Sequence, residues 1–223
     1  MLKMIKLFVL VVLVGFMPSC SQRAERVENN NPEKYRLHPD VFWASPDGFD
    51  LAMDIYVPNS ELAALPVLVM FHGGGWLIND KSIMDQAAAY LATNGHYVIC
   101  NVDYRLLSDS GNTVGLNQIV EDVFGAVLWV KENIDQYKGN PSKVAVTGDS
   151  AGAHLSAMIV NSGKQLSAKP FSAESVRFNP SYMPEGETPE TIAENNGLNV
   201  QAAILSYGAF NIYQSARDGF EGM

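Results

Sequence analysis

The sequence predicts an α/β fold, a mostly parallel sheet with helices on both faces. Three observations carry this. The runs at 66–71 (PVLVMF), 97–100 (YVIC) and 143–147 (KVAVT) are largely apolar without alternation, as in strands buried on both faces. Between them lie stretches of helical spacing at least ten residues long, which is the pattern of βαβ units. Of the 223 residues, 47% are hydrophobic and 17% charged, enough apolar mass for one large core and too much for global disorder.

Taken in order, residues 41–57 hold two short strand-like runs with Asp47-Gly48 between them, a hairpin signal. Residues 66–71 follow as a buried strand. Residues 82–93 look helical, with Asn94-Gly95 as their C-terminal stop. His96 opens the next buried strand, 96–102. Ile119, Val120, Val123, Val127 and Val130 recur at helical spacing within 117–134, an amphipathic helix. A strand at 143–147, a helix at 150–162 and a last apolar strand at 201–206 complete the series, and no internal repeat is present. Residues 163–199 break the alternation. They hold Pro170, Pro180, Pro184 and Pro189 among Ser, Glu and Asn, and read as an inserted loop or partial lid.

The net charge of −9 comes without any basic run, which argues against binding nucleic acid through its phosphates. Two cysteines are too few for a disulfide scaffold or a multi-cysteine zinc site. No metal-ligand cluster is visible, so no metal is expected; the serine chemistry read below needs no organic cofactor either.

The first residues read as an address. Lys3 and Lys6 precede an apolar run of eleven, 7–17, which is shorter than the ~20 residues a spanning helix needs. Residues 1–19 therefore read as a signal peptide. Met17-Pro18-Ser19-Cys20 resembles a bacterial lipobox, which implies lipidation of Cys20, a membrane anchor and residence in the bacterial envelope. An ordinary signal peptide cut nearby is the alternative. Residues 20–35 are polar and read as a tether. Cys100 lies inside an apolar strand and is expected to be a buried, inert thiol.

The chemistry is carried by two elements. Gly148-Asp149-Ser150-Ala151-Gly152 is a G-x-S-x-G run that follows a strand and opens a helix, the placement of a nucleophile elbow. A tight turn there lifts the serine above the sheet, at a helix N-terminus that favours developing negative charge. The plainer reading is a serine N-cap. The second element, His72-Gly73-Gly74-Gly75-Trp76, also follows a strand, and its glycines leave backbone N–H groups free to point into a cavity. The plainer reading here is a flexible turn.

HGGGW at 72–76, VDYRL at 102–106 and GDSAGAHL at 148–155 together resemble the hormone-sensitive-lipase-type esterases of the α/β-hydrolase fold, over about residues 40–160. The resemblance implies a serine carboxylesterase with Ser150 as nucleophile and Gly73, Gly74 and Ala151 as oxyanion-hole amides. It gives His72 a structural role in the loop, Asp149 a supporting role at the elbow, and Tyr104 and Arg105 a role in bracing the glycine loop. Trp76 either lines the substrate pocket or packs beneath the loop. The implied fold domain is 36–223.

A serine hydroxyl needs a base, and in this fold acid and histidine follow the serine in the chain. The four histidines are His38, His72, His96 and His154, and only the last follows Ser150. One helical turn beyond the serine, it reads as a packing residue. In the family two further strand–helix units follow the strand at 201–206 and carry the acid and the histidine. Without them the apolar AAIL strand would stand uncovered at a sheet edge. The chain is therefore expected to be truncated and inactive alone; a complete but inactive relative is the alternative. Substrates implied are small-molecule or glycan-linked esters. Amide or formamide hydrolysis, and a non-catalytic binding lipoprotein, stay open as other functions. Oligomeric state is not legible.

Overall fold

The computed structural model describes residues 34–172 and 174–211. Six strands form one sheet in the order β1-β2-β4-β3-β5-β6. These are β1 (Tyr35–Ala44), β2 (Leu51–Pro58), β3 (Leu65–Phe71), β4 (Val98–Val102), β5 (Gly139–Asp149) and β6 (Ala202–Ser206). β3, β4, β5 and β6 run parallel, whereas β1 and β2 are an antiparallel hairpin added at the β4 side. The hairpin turns where expected. Asp47 and Gly48 both take left-handed φ, 53° and 79°.

The continuous apolar runs have the predicted cause. Val67, Val69 and Phe71 of β3 belong to a core shared with α3 (Leu116–Asn133) and α4 (Ala151–Ser162). Leu68 and Met70 face the other way, onto Ala88 and Ala92 of α1 (Asp85–Gly95). Both faces of the strand are thus covered, and each buried Val or Leu contributes ~1.5–3 kcal/mol.

Three boundaries differ from the sequence reading. β1 starts at Tyr35, which is buried against Tyr56 at 5.4 Å, so the sheet begins inside the interval read as tether. Gly95 stays within α1 and His96, at φ 53°, is the residue that ends it. His96 therefore caps a helix and does not open β4; a left-handed cap reverses the chain and delays the strand to Val98. β5 extends to Asp149, which leaves Ser150 as the sole link between strand and helix α4.

A short helix, α2 (Asp109–Asn112), precedes α3. Residues 163–199 are packed into the core and do not stand free of it. Leu166, Phe178, Ile192 and Leu198 join the main cluster, and Phe178 meets Phe124 of α3 edge-on at 5.4 Å. Within this segment, α5 (Pro189–Glu194) is capped by Thr188, whose hydroxyl accepts the Thr191 N–H at 3.1 Å. β6 is an outer strand. Ile204 and Leu205 are 58% and 39% exposed, although α4 packs against one face of the strand. Residues 1–33, with the signal run and Cys20, lie outside the described residues.

Candidate active site

Parallel register brings the two motifs together. Phe71 of β3 pairs with Gly148 of β5, so the glycine loop and the elbow leave neighbouring strands at the same end of the sheet. β6 ends beside them, with Ser206 paired to Asp149. Open α/β sheets place ligands at this carboxyl end of the strands.

Ser150 has φ 49° and ψ −113°, a costly conformation for a residue with a side chain. Its backbone N–H donates to the Ser206 carbonyl at 2.9 Å, which holds the turn. The strain is enforced by close packing of backbone on backbone. A Cβ on Gly152 would lie 1.9 Å from the Phe71 carbonyl oxygen, so only glycine lets α4 start this close to β3. The Ser150 side chain is half-buried, and its hydroxyl has no hydrogen-bond partner among the described residues.

The glycine loop is fixed through its carbonyls. The Tyr104 hydroxyl donates to the His72 carbonyl at 2.6 Å, and the two rings stack at 4.3 Å. Burial raises the Tyr104 pKa, so the hydroxyl remains a donor. Asn79 Nδ2 donates to the Gly73 carbonyl at 3.3 Å, and His72 Nδ1 lies 2.8 Å from the same oxygen. The N–H groups of Leu77 and Ile78 donate to the Gly74 carbonyl. Gly74 has φ 128°, which a side chain rarely tolerates. With the carbonyls engaged, the amides of Gly73, Gly74 and Ala151 donate to no group among the described residues. The Ala151 amide belongs to the first turn of α4, where N–H groups have no partner within the helix.

Asp149 joins elbow and loop. Its Oδ2 lies 2.6 Å from where a Cβ on Gly73 would be and accepts the Tyr207 hydroxyl at 2.9 Å. Its Oδ1 is buried without a hydrogen-bond partner among the described residues. Neither Tyr207 nor Ser206 was singled out from the sequence. The available signal was their place at the carboxyl end of the strand next to the elbow.

Arg105 is not part of the loop's bracing, contrary to the expectation from the sequence. Successive residues of an extended chain point to opposite sides, so Tyr104 faces His72 while Arg105 turns to α3. There Nε and Nη2 donate to the two oxygens of the fully buried Asp122, at 2.9 and 2.8 Å. Nη1 reaches Asp47 of the hairpin turn at 2.9 Å. Trp76 lies in the left-handed region, φ 62°, with its indole packed on the core and on His154 edge-on at 5.3 Å.

His154 is buried and lines a cavity of about 270 Å³ with Leu116, Val120, Met158, Phe171 and Phe178. Desolvation lowers its pKa, so the ring is held neutral. Its backbone N–H donates to the Ser150 carbonyl, one helical turn away. His38 packs edge-on against Tyr137 at 5.0 Å. His72 is engaged in the loop and His96 ends α1. No histidine ring hydrogen-bonds the Ser150 hydroxyl among the described residues, and no group of three His, Cys, Asp or Glu there could hold a metal ion.

Residues 53–219 match the model of the BD-FAE family. Carboxylesterase NlhH of Mycobacterium tuberculosis is 33% identical over 121 residues, which cover 54% of this chain and 37% of the relative. The chain thus spans well under half the length of that curated relative. A thermophilic esterase from Thermogutta terrifontis superposes with a TM-score of 0.56 at 24% identity, over 79% of this chain and 54% of its own. Esterase B from Lactobacillus rhamnosis superposes with a TM-score of 0.53 at 28% identity, over 68% and 47%. With a mostly parallel sheet, an elbow at the end of β5 and a family model matched along most of its length, the chain belongs to the BD-FAE family and has the α/β-hydrolase fold.

Proposed function

We propose that these residues are the nucleophile and oxyanion-hole portion of a serine carboxylic-ester hydrolase. One observation carries the reading: Ser150 stands in a strained turn at the end of β5, beside a glycine loop whose amides are unengaged at the end of β3. Ser150 Oγ attacks the ester carbonyl, and its proton passes to a base. Negative charge on the tetrahedral intermediate rests on the amides of Gly73, Gly74 and Ala151. The alcohol leaves, and water then releases the acid from the acyl-serine. None of the four histidines is placed to be the base, so turnover requires a group beyond those described.

The substrate class we propose is a small or glycan-linked acyl ester, with acetyl groups on polysaccharide as one form. Lipidation at Cys20 would hold the enzyme in the bacterial envelope. The test uses the protein expressed from its whole reading frame, with and without Ser150→Ala, on short acyl esters and matched amides. Loss of ester turnover in the variant is expected, and retained turnover refutes the assignment. A faster amide rate moves the function to amide hydrolysis. The unassisted Ser150 favours a second reading, a non-catalytic binding lipoprotein. Absence of fluorophosphonate labelling at Ser150 in the whole protein would establish that reading instead. For the anchor, fatty-acid labelling that disappears in Cys20→Ser is expected.

A further inference from the structure

We propose that Tyr207 is a positioning residue: its hydroxyl holds the Asp149 carboxylate against Gly73 and so fixes the oxyanion amides relative to Ser150. This rests on the hydrolase reading given above. It concerns a residue that lies in neither sequence motif.

Ser206, the last residue of β6, and Tyr207 after it hold two residues of the elbow. The Ser206 carbonyl takes the Ser150 N–H at 2.9 Å, and the Tyr207 hydroxyl donates to Asp149 Oδ2 at 2.9 Å. Tyr207 is the only hydrogen-bond donor to that carboxylate among the described residues, since Oδ1 is buried without a partner. A partly buried carboxylate with one donor depends on that donor for its orientation. The same Oδ2 lies against Gly73, 2.6 Å from where a Cβ would project. The carboxylate thus occupies the space a side chain at position 73 would fill, which ties its orientation to the glycine loop.

Burial does not explain the placement of Tyr207. The residue is 77% exposed, so little burial holds it there. Its backbone nevertheless takes φ 42°, a left-handed conformation that is strained for a non-glycine residue. Such strain persists where contacts demand it, and the contact made is with Asp149. The hydrogen bond to Asp149 raises the tyrosine pKa, so the hydroxyl is a donor throughout the neutral range.

Oxyanion amides act on charge that develops in the transition state, so disturbing them lowers kcat and leaves KM nearly unchanged. The test is Tyr207→Phe in the protein expressed from its whole reading frame. Rates are taken per active site, titrated with a fluorophosphonate, so that loss of folded protein does not enter. We expect kcat to fall about tenfold, KM to stay within twofold, and the wild-type rate to be restored by no substitution that lacks a donor. In an Asp149→Ala background, Tyr207→Phe should produce no further loss. An unchanged kcat per site overturns the proposal, as does a rise in KM alone, which would mark a substrate-lining residue. So does an undiminished effect in the Asp149→Ala background. Failure of the hydrolase reading is distinct, because it shows as turnover that survives Ser150→Ala.

Discussion

Gly152→Ala tests whether the elbow depends on backbone contact between α4 and β3. The added Cβ would lie 1.9 Å from the Phe71 carbonyl oxygen, 2.6 Å from its carbon and 2.8 Å from the His72 oxygen. Ordinary contact begins near 3.4 Å, so the start of α4 must move by about 1.5 Å. Overpacking against side chains costs ~1–3 kcal/mol, and the atoms met here are backbone of a buried strand, which places the cost at ~3 kcal/mol. Helix propensity works the other way, since alanine gains ~1 kcal/mol over glycine. The net loss is ~2 kcal/mol, or a fall in Tm of about 4–8 °C for a domain of this size. Urea unfolding should show a lower midpoint at constant m. Because Phe71 leads directly into His72 and Gly73, the shift also parts the oxyanion amides from Ser150. An ångström of misplacement costs ~10²-fold, so phosphonylation of Ser150 should slow by about that factor. A midpoint equal to or above wild type would show that propensity dominates and that the close approach does not hold the elbow.

Arg105→Ala strips the fully buried Asp122 of its paired cation and should cost ~3–5 kcal/mol in urea unfolding; a loss under 1 kcal/mol would mean that the pair is replaceable by solvent. Burial lowers the pKa of both His72 and His154, so the unfolded chain binds protons that the folded chain refuses. Stability from these groups is fully present above the unfolded value of about 6.5 and is lost as pH falls below it, by up to ~1.4 kcal/mol per pH unit for each histidine. His154→Asn should therefore reduce the slope of urea midpoint against pH between 7 and 5, and an unchanged slope would contradict the burial argument. Cys100 is fully buried and desolvation pushes its thiol up, so the folded protein should resist alkylation that reaches completion in urea; modification at equal rates in both states would show that β4 opens locally.

Much of the fold was legible because its strands are buried on two faces. Leu68 and Met70 pack on α1 while Val67 and Val69 pack on α3 and α4, which makes 66–71 apolar without alternation. The hairpin was legible because two successive left-handed residues need a pair such as Asp47-Gly48. His96 was misread because a left-handed cap on a non-glycine residue leaves no compositional trace beside Asn94-Gly95. Ser150 and the glycine loop were found as motifs, since short-range backbone geometry dictates their residues. Arg105 shows the limit of that method. It sits inside the VDYRL block, yet its partners Asp47 and Asp122 lie on other elements, and only the fold decides which neighbour it meets. Tyr207 escaped for the same reason: its link to Asp149 exists only because β6 is placed beside β5.

The proposed hydrolase mechanism divides its work unevenly, and this division can be measured. Activation of the serine needs a base, and no histidine of this sequence is placed to serve. Stabilisation of the oxyanion, on the same proposal, needs only the amides of Gly73, Gly74 and Ala151, which the register of β3 with β5 and the close start of α4 bring to the same end of the sheet as Ser150. In serine hydrolases stripped of their triad, the oxyanion hole and binding alone retain ~10³–10⁴-fold over the reaction in water. The 223-residue chain should then react at Ser150 with a fluorophosphonate slowly, yet faster folded than unfolded in urea. Intact-mass measurement against time gives both rates, and Ser150→Ala supplies the blank. The Tyr104→Phe variant should lower the folded rate, because the hydroxyl that fixes the His72 carbonyl is gone. Equal rates in the folded and unfolded chains would mean that the loop amides do not converge on Ser150, and the oxyanion assignment would fall while the fold assignment stood.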